Sequence, residues 1–412
     1  MLIEFSVANY RSIAERQTLS MAAPKPRGGH DRHLVATGHP AAPFVLNAAC
    51  VFGPNGSGKS SFVEAVRFFK TFVSDSAHRM QHGDPIDTVP FALDSALADA
   101  PSEFEIVFIA GLELFQYGFR ATRHRVVEEW LFSRTMKPHA RMRTIFRRRL
   151  DPVTGTDVYE MNRDYLKGNR EVWRTSTRPN GLFLSMSVQL HAAPLTQVFD
   201  WIGSKLVVLP SIYLAEEPEY YFESLVDKGS CLEILGVVGI EIVDYEITQR
   251  RSTHLDVRSG RSSSSARVDV KTIHRDRQGA NVSLNLRDES DGTRALFQLA
   301  GPWLEALQEN HTLIVDELHR SLHPHALRLL VSMFMDPKRN DGAQLVFTGH
   351  ETSVMARNFL HRDQIWFMEK DRSATVLFPL SDFKVREFEA FQKAYLDGRF
   401  GAVPRIRDFR DD

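Results

Sequence analysis

An α/β fold with a phosphate-loop core sheet, an antiparallel β subdomain and a helical insertion is what three stretches of this sequence predict. The first is the apolar run 48–52 opening onto Gly53-Pro54-Asn55-Gly56-Ser57-Gly58-Lys59-Ser60 and then an amphipathic stretch over 61–73, which reads as strand, glycine loop and helix. The second is a series of apolar–polar alternations at 103–110, 114–121, 126–134, 144–149 and 158–162, the pattern of an antiparallel sheet. The third is Thr312-Leu313-Ile314-Val315-Asp316-Glu317, an apolar strand that ends in two carboxylates.

The opening residues 1–22 alternate around Asn9-Tyr10-Arg11-Ser12 and predict two short strands at a sheet edge. In the loop that follows, glycines let backbone N–H groups converge on phosphate oxygens, Lys59 brings a mobile positive charge, and the Ser60 hydroxyl suits Mg²⁺ at a helix N-terminus. Asn55, Gly56, Ser57, Gly58, Lys59, Ser60 and Ser61 are therefore the candidate nucleotide contacts. From 180 to about 239 the pattern turns helical and acidic, with Glu216, Glu217, Glu219 and Glu223 as a candidate patch for a basic partner. Strand character returns over 240–286, interrupted by Ser259-Gly260-Arg261-Ser262-Ser263-Ser264-Ser265, which reads as a flexible hairpin tip or disordered loop. These shifts divide the chain into 1–179, 180–239 and 240–412.

The second half supplies the remaining chemistry. Glu289-Ser290-Asp291-Gly292-Thr293 precedes a helical stretch over 294–307, so Ser290 and Gly292 can read a phosphate at a helix start. An acid pair at a strand's carboxyl end places Asp316 for a metal and Glu317 for the attacking water. The strand 344–348 ends at Gly349-His350, where an imidazole can donate to a terminal phosphate. His319, His323 and His325 lack a further cysteine or acid at zinc spacing, and metal binding is not expected there.

Composition bounds the setting. The 412 residues are 43% hydrophobic, enough for a large core, and the two cysteines fit a reducing compartment. No apolar run reaches membrane-spanning length and the N-terminus has no signal pattern, so the expectation is a cytoplasmic protein without membrane contact. With a net charge of −1, nucleic acid could be held only locally. Two basic strips, 120–149 and 250–277, are candidates for a phosphate backbone, or are solvated faces and protected sheet edges.

The order of phosphate loop, Ser290–Gly292 signature, Asp316-Glu317 strand, Ser321-Leu322-His323-Pro324 turn and strand-ending His350 resembles the ABC-type ATPase head of SMC, Rad-type and RecF-like proteins. The ending Tyr395-Leu396-Asp397-Gly398-Arg399-Phe400-Gly401-Ala402-Val403-Pro404 looks closest to ATPases of abortive-infection and anti-phage systems, the RloA-like and PARIS-type ATPases and the OLD family. That resemblance implies ATP and Mg²⁺ as ligands, with Lys59 and Ser60 on phosphate and metal, Asp316 supporting the metal, Glu317 as general base and His350 sensing the terminal phosphate. It also implies that Ser290 and Gly292 complete the site of a facing copy, in a homodimer or larger homo-oligomer.

This chain departs from the family pattern at three places. The signature lacks the leucine and paired glycines of transporters, Gly349 replaces a second threonine, and the glutamine that joins metal to water is assigned to Gln189, with Gln116 behind it. Arg11 either reaches nucleotide phosphate or pairs with an acid at the sheet edge. The residues after His350 contain no Asp-x-Asp pair, so the chain is not expected to be its own nuclease. Three functions compete: an anti-phage sensor and scaffold controlling a separately encoded nuclease or toxin, a RecF-like ATPase clamping DNA, and a nucleotide-gated platform with negligible turnover.

Overall fold

The computed structural model describes residues 1–23, 31–137, 139–210, 227–256, 261–356, 359–384 and 391–404. Strands β1 (Leu2–Ala8) and β2 (Gln17–Ser20) precede a small hairpin of β3 (Leu34–Ala36) and β4 (Phe44–Leu46), then the loop strand β5 (Ala48–Phe52) and helix α1 (Lys59–Asp75). After the short α2 (Ser95–Ala98) come β6 (Ser102–Ala110), β7 (Glu113–Ala121), β8 (Val126–Thr135), β9 (Arg143–Leu150) and β10 (Asp157–Met161). Helices α3 (Arg170–Ser176), α4 (Phe183–Gln189) and α5 (Ala193–Asp200) lead to β11 (Leu206–Leu209), and α6 (Lys228–Val237) follows. The remainder is β12 (Asp244–Asp256), β13 (Arg261–Arg275), β14 (Asn281–Asn285), α7 (Asp291–Glu309), β15 (Thr312–Val315), α8 (Pro324–Phe334), β16 (Gln344–Gly349), β17 (Ile365–Asp371), β18 (Ala374–Pro379) and α9 (Phe391–Leu396).

Among the described residues these strands form two main sheets. The antiparallel one runs β10-β9-β8-β7-β6-β1-β2, and the core sheet runs β11-β15-β16-β5-β17-β18. In the core sheet β11, β15, β16, β5 and β17 are parallel and only β18 turns back. Alternation along β5 decides how the two halves join: Ala49 and Val51 point into the core shared with the antiparallel sheet, while Ala48, Cys50 and Phe52 point into the core shared with α7 and α8. Helix α1 fills the first core. Its Phe62 and Phe69 meet Phe5 edge-on at 5.6 and 5.7 Å, and Phe69 stacks on Phe119 at 5.5 Å.

Two expectations are corrected here. The run Leu206-Val207-Val208-Leu209, read as part of a helical segment, is a core strand paired in parallel with β15; a short continuous apolar run carries no period that separates strand from helix. Of residues 259–265, read as a flexible hairpin tip or disordered loop, 261–265 are strand, paired with 252–256 in the β12–β13 hairpin, and residues 257–260 lie outside the described residues. Glu216, Glu217, Glu219 and Glu223 lie outside them too.

The first basic strip is largely neutralised by its own sheet. Arg125 pairs with Asp157 at 2.8 Å, Arg143 with Glu113 at 2.8 Å, and Arg147 and Arg149 with Glu128 at 2.6 and 3.1 Å. Arg148 is fully buried, bound to Asp157 at 2.7 Å and donating to the Gly181 carbonyl at 2.7 Å. Its neighbour Glu129 accepts the N–H groups of Phe183 and Leu184 at 2.7 and 2.9 Å and the Tyr117 hydroxyl at 3.1 Å. Burial pushes the Glu129 carboxyl above its ordinary range, opposed by the nearby Arg148 guanidinium and these hydrogen bonds. The pair thus pins the start of α4 to the antiparallel sheet.

Candidate nucleotide site

The glycines of the loop 53–58 have different tasks. A side chain on Gly53 would begin 2.1 Å from the Met368 carbonyl oxygen, and one on Gly58 would begin 2.1 Å from Thr375 Oγ1, so both are needed for close packing against β17 and β18. Gly56 has open space around it but a φ of +77°, which glycine adopts without strain. Below the loop, Thr375 Oγ1 donates to the Ser57 carbonyl at 2.8 Å and lies 2.8 Å from Ser12 Oγ, itself 2.9 Å from Ser61 Oγ. The loop is therefore braced from beneath by hydroxyls of the N-terminal edge and of β18. Asn55 and Ser60 are exposed on its outer side.

Lys59, 5% exposed, donates to the Gly53 carbonyl at 2.6 Å and the Pro54 carbonyl at 3.1 Å. Burial lowers its pKa, while Asp316 and Glu317 hold it up, which puts the ammonium within electrostatic reach of the acid pair. The parallel register Val315↔Phe347 brings Asp316 beside Thr348. Thr348 Oγ1 donates to Asp316 Oδ1 at 2.6 Å and accepts the Glu317 N–H at 2.8 Å. One hydroxyl therefore fixes both acids, and it holds Glu317 in the left-handed region at φ 52° where the strand breaks. Sequence reasoning gave Thr348 no role; the parallel pairing of an acid strand with the next core strand was the signal that could have found it.

His350 follows directly, its ring edge-to-face with His319 at 5.4 Å. Burial lowers the His350 pKa to about 4, aided by Lys59 and His319, and burial also lowers that of His319, so both rings are neutral at physiological pH. His323 and His325 stand exposed instead, with His323 capping α8.

Other predicted residues lie around this centre. Ser290 is the N-cap of α7, accepting the Thr293 N–H at 3.2 Å, and a side chain on Gly292 would begin 3.0 Å from the Ser321 carbonyl. The signature therefore abuts the turn that follows the acid pair of its own chain. Arg11 has its guanidinium 3.5 Å from Glu64 on α1. Gln189 is the exposed last residue of α4, whereas Gln116 donates to Glu105 at 2.8 Å within the antiparallel sheet. The ending 395–404 packs behind the loop strand. Tyr395 stacks on Phe367 at 5.4 Å, lies 5.9 Å from Phe52, and donates its hydroxyl to the Ala402 carbonyl at 2.9 Å.

A parallel sheet whose central strand opens onto a braced glycine loop, with an acid pair two strands away, defines a P-loop ATPase. A family model described as "AAA domain, putative AbiEii toxin, Type IV TA system" matches residues 48–185 and 234–356, and the chain belongs to that family. No curated protein matches the sequence. Among solved structures the chain is similar to an SMC head domain from Thermotoga maritima, with 12% identity, 92% of this chain and 98% of that one covered, and a TM-score of 0.41. It is similar also to an Smc head bound to the C-terminal winged-helix domain of ScpA, with 13% identity, 92% and 99% covered and a TM-score of 0.44. Likeness at this level carries no functional argument.

Proposed function

We propose that the chain binds and hydrolyses ATP with Mg²⁺, at a site completed by a second copy, and serves as the sensor and scaffold of an anti-phage system whose separately encoded effector is a nuclease or toxin. The observation that carries the ATPase reading is the Thr348 hydroxyl holding Asp316 and Glu317 together within reach of Lys59. The residues present suit the ligand. Hard oxygen donors, the exposed Ser60 hydroxyl and the Asp316 carboxylate, fit Mg²⁺, with Gln189 as the further candidate, and the metal would neutralise charge on the phosphate oxygens. Asn55, Gly56, Ser57, Gly58 and Ser61 form or brace the phosphate cradle, and Lys59 neutralises its charge. Glu317 takes the proton from the attacking water, and neutral His350 donates a hydrogen bond to the terminal phosphate. Ser290 and Gly292, at the start of α7, would face the nucleotide of the second copy.

The family description, with its toxin and Type IV TA system, supports the defence setting. A cytoplasmic location and the division at 1–179, 180–239 and 240–412, with the effector surface in the middle segment, belong to the same reading. The pairing of Arg143, Arg147 and Arg149 on β9 with Glu113 and Glu128 weighs against DNA clamping by that strip.

Turnover and binding measured together test this. Lys59→Ala should abolish ATP binding, and Glu317→Gln should keep it while losing hydrolysis. Mixing Lys59→Ala with Ser290→Arg should restore partial activity through one intact shared site. Normal hydrolysis by Glu317→Gln removes the base, and no recovery in verified mixed dimers removes the shared site. Co-purification with products of adjacent genes tests the effector; ATP-dependent, salt-sensitive DNA binding without such a partner would favour the repair reading.

A further inference from the structure

His319 stands outside every role assigned so far. It lies on the turn after the acid pair, where its ring meets that of His350 edge-to-face at 5.4 Å and an interplanar angle of 85°. His319 Nδ1 and His350 Nε2 are both buried without a hydrogen-bond partner. A histidine kept for packing alone leaves such a nitrogen at a cost of about 1–3 kcal/mol, which an apolar side chain would avoid. Two orphaned ring nitrogens on touching rings double that cost, and the charges that bear on His319 are those of Glu317, Glu351, Lys59 and Asp316.

The neighbouring glycine is shaped to this arrangement. A side-chain carbon on Gly349 would begin 3.5 Å from His319 Nδ1, in ordinary contact, so any larger group there would cover the nitrogen. Gly349 lies within β16 without a positive φ, and its backbone does not call for glycine. With glycine there, no side chain of β16 lies against His319 Nδ1 from this position.

We propose that His319 is a second phosphate-reading imidazole, working with His350 to distinguish a nucleoside triphosphate from a diphosphate. The inference rests on the nucleotide reading above. Each neutral ring offers one N–H, and two such donors from different turns match the several oxygens of a terminal phosphate but find nothing to bind in a diphosphate. His350 ends the strand next to β5 and His319 follows the acid pair, so reading by both links the loop side of the site to the turn that abuts Gly292 at the signature.

The experiment is calorimetric titration of the full chain with Mg²⁺ and either ADP or a non-hydrolysable ATP analogue. The wild type should bind the triphosphate analogue more tightly than ADP. His319→Ala should weaken the analogue about tenfold or more, the worth of one hydrogen bond to a charged group, and leave ADP within about twofold. His319→Gln, which keeps an N–H donor on a side chain of similar reach, should recover part of the loss. ADP affinity serves as the measure of an intact fold. Equal weakening of both ligands, or no change in either, overturns the role of His319 while leaving the ATPase reading in place. A wild type that binds neither nucleotide overturns both.

Discussion

Replacing Thr348 by valine tests the joint that holds the acid pair. Valine keeps the shape and the methyl group but removes the one oxygen that donates to Asp316 at 2.6 Å and accepts from Glu317 N–H at 2.8 Å. Thr348 and Asp316 are 2% and 3% exposed, so water cannot readily replace the lost partner. A hydrogen bond to a charged group contributes about 1.5–3 kcal/mol and a neutral one about 0.5–1.5 kcal/mol, which sets the expected loss at about 2–4 kcal/mol. Thr348→Ser keeps the oxygen and loses only a methyl, about 1 kcal/mol. Urea unfolding followed by tryptophan fluorescence should rank the proteins wild type, then serine, then valine. Steady-state ATPase assays should show the serine variant active and the valine variant reduced at least tenfold, because Glu317 loses its fixed position. If valine proves as stable as serine and turns over normally, the hydroxyl does not organise the site and the argument from β16 fails.

Further predictions concern the frame around that site. Gly58→Ala should prevent the loop from forming, since its methyl would lie 2.1 Å from Thr375 Oγ1 at a φ of +110°, whereas Gly56→Ala, at +77° in open space, should cost only about 1 kcal/mol; thermal melts of both variants measure the contrast. Arg148→Met should destabilise the protein by about 3–5 kcal/mol by leaving Glu129 buried without its cation, read as a lowered denaturation midpoint. His311, whose pKa burial lowers to about 4 from 6.5, takes up a proton on unfolding between those values, so stability should fall as pH drops from 6.5 to 4. His311→Gln should flatten that acid limb in melts recorded across the range.

What could be read from the sequence was what local pattern carries. The antiparallel strands were legible within a residue or two because one face of each is buried, and the loop 53–60 because phosphate binding restricts several adjacent positions. Thr348 was not legible, since its role arises from the register between β15 and β16 rather than from its neighbours in sequence. His319 was hidden by its company: spacing groups it with His323 and His325, but the turn sends it toward His350 and leaves the other two exposed. The basic strip left two readings open in the sequence, because the cross-strand Glu128 and Asp157 that pair with Arg125, Arg147 and Arg149 are not adjacent to them in sequence.

The position of β5 between β16 and β17 has a consequence for how the protein is made. The phosphate loop leaves the ribosome early, yet both strands that flank it, and the Thr375 hydroxyl beneath it, come from residues synthesised after position 343. Until then the nascent loop strand has no sheet to join, and its apolar residues must wait exposed or be sheltered by a chaperone. A ribosome that stops anywhere in between releases a chain with a readable loop sequence and no pocket. Nucleotide binding thereby reports that translation reached the last strands, and a partner that recognises the nucleotide-bound form would never engage an unfinished copy.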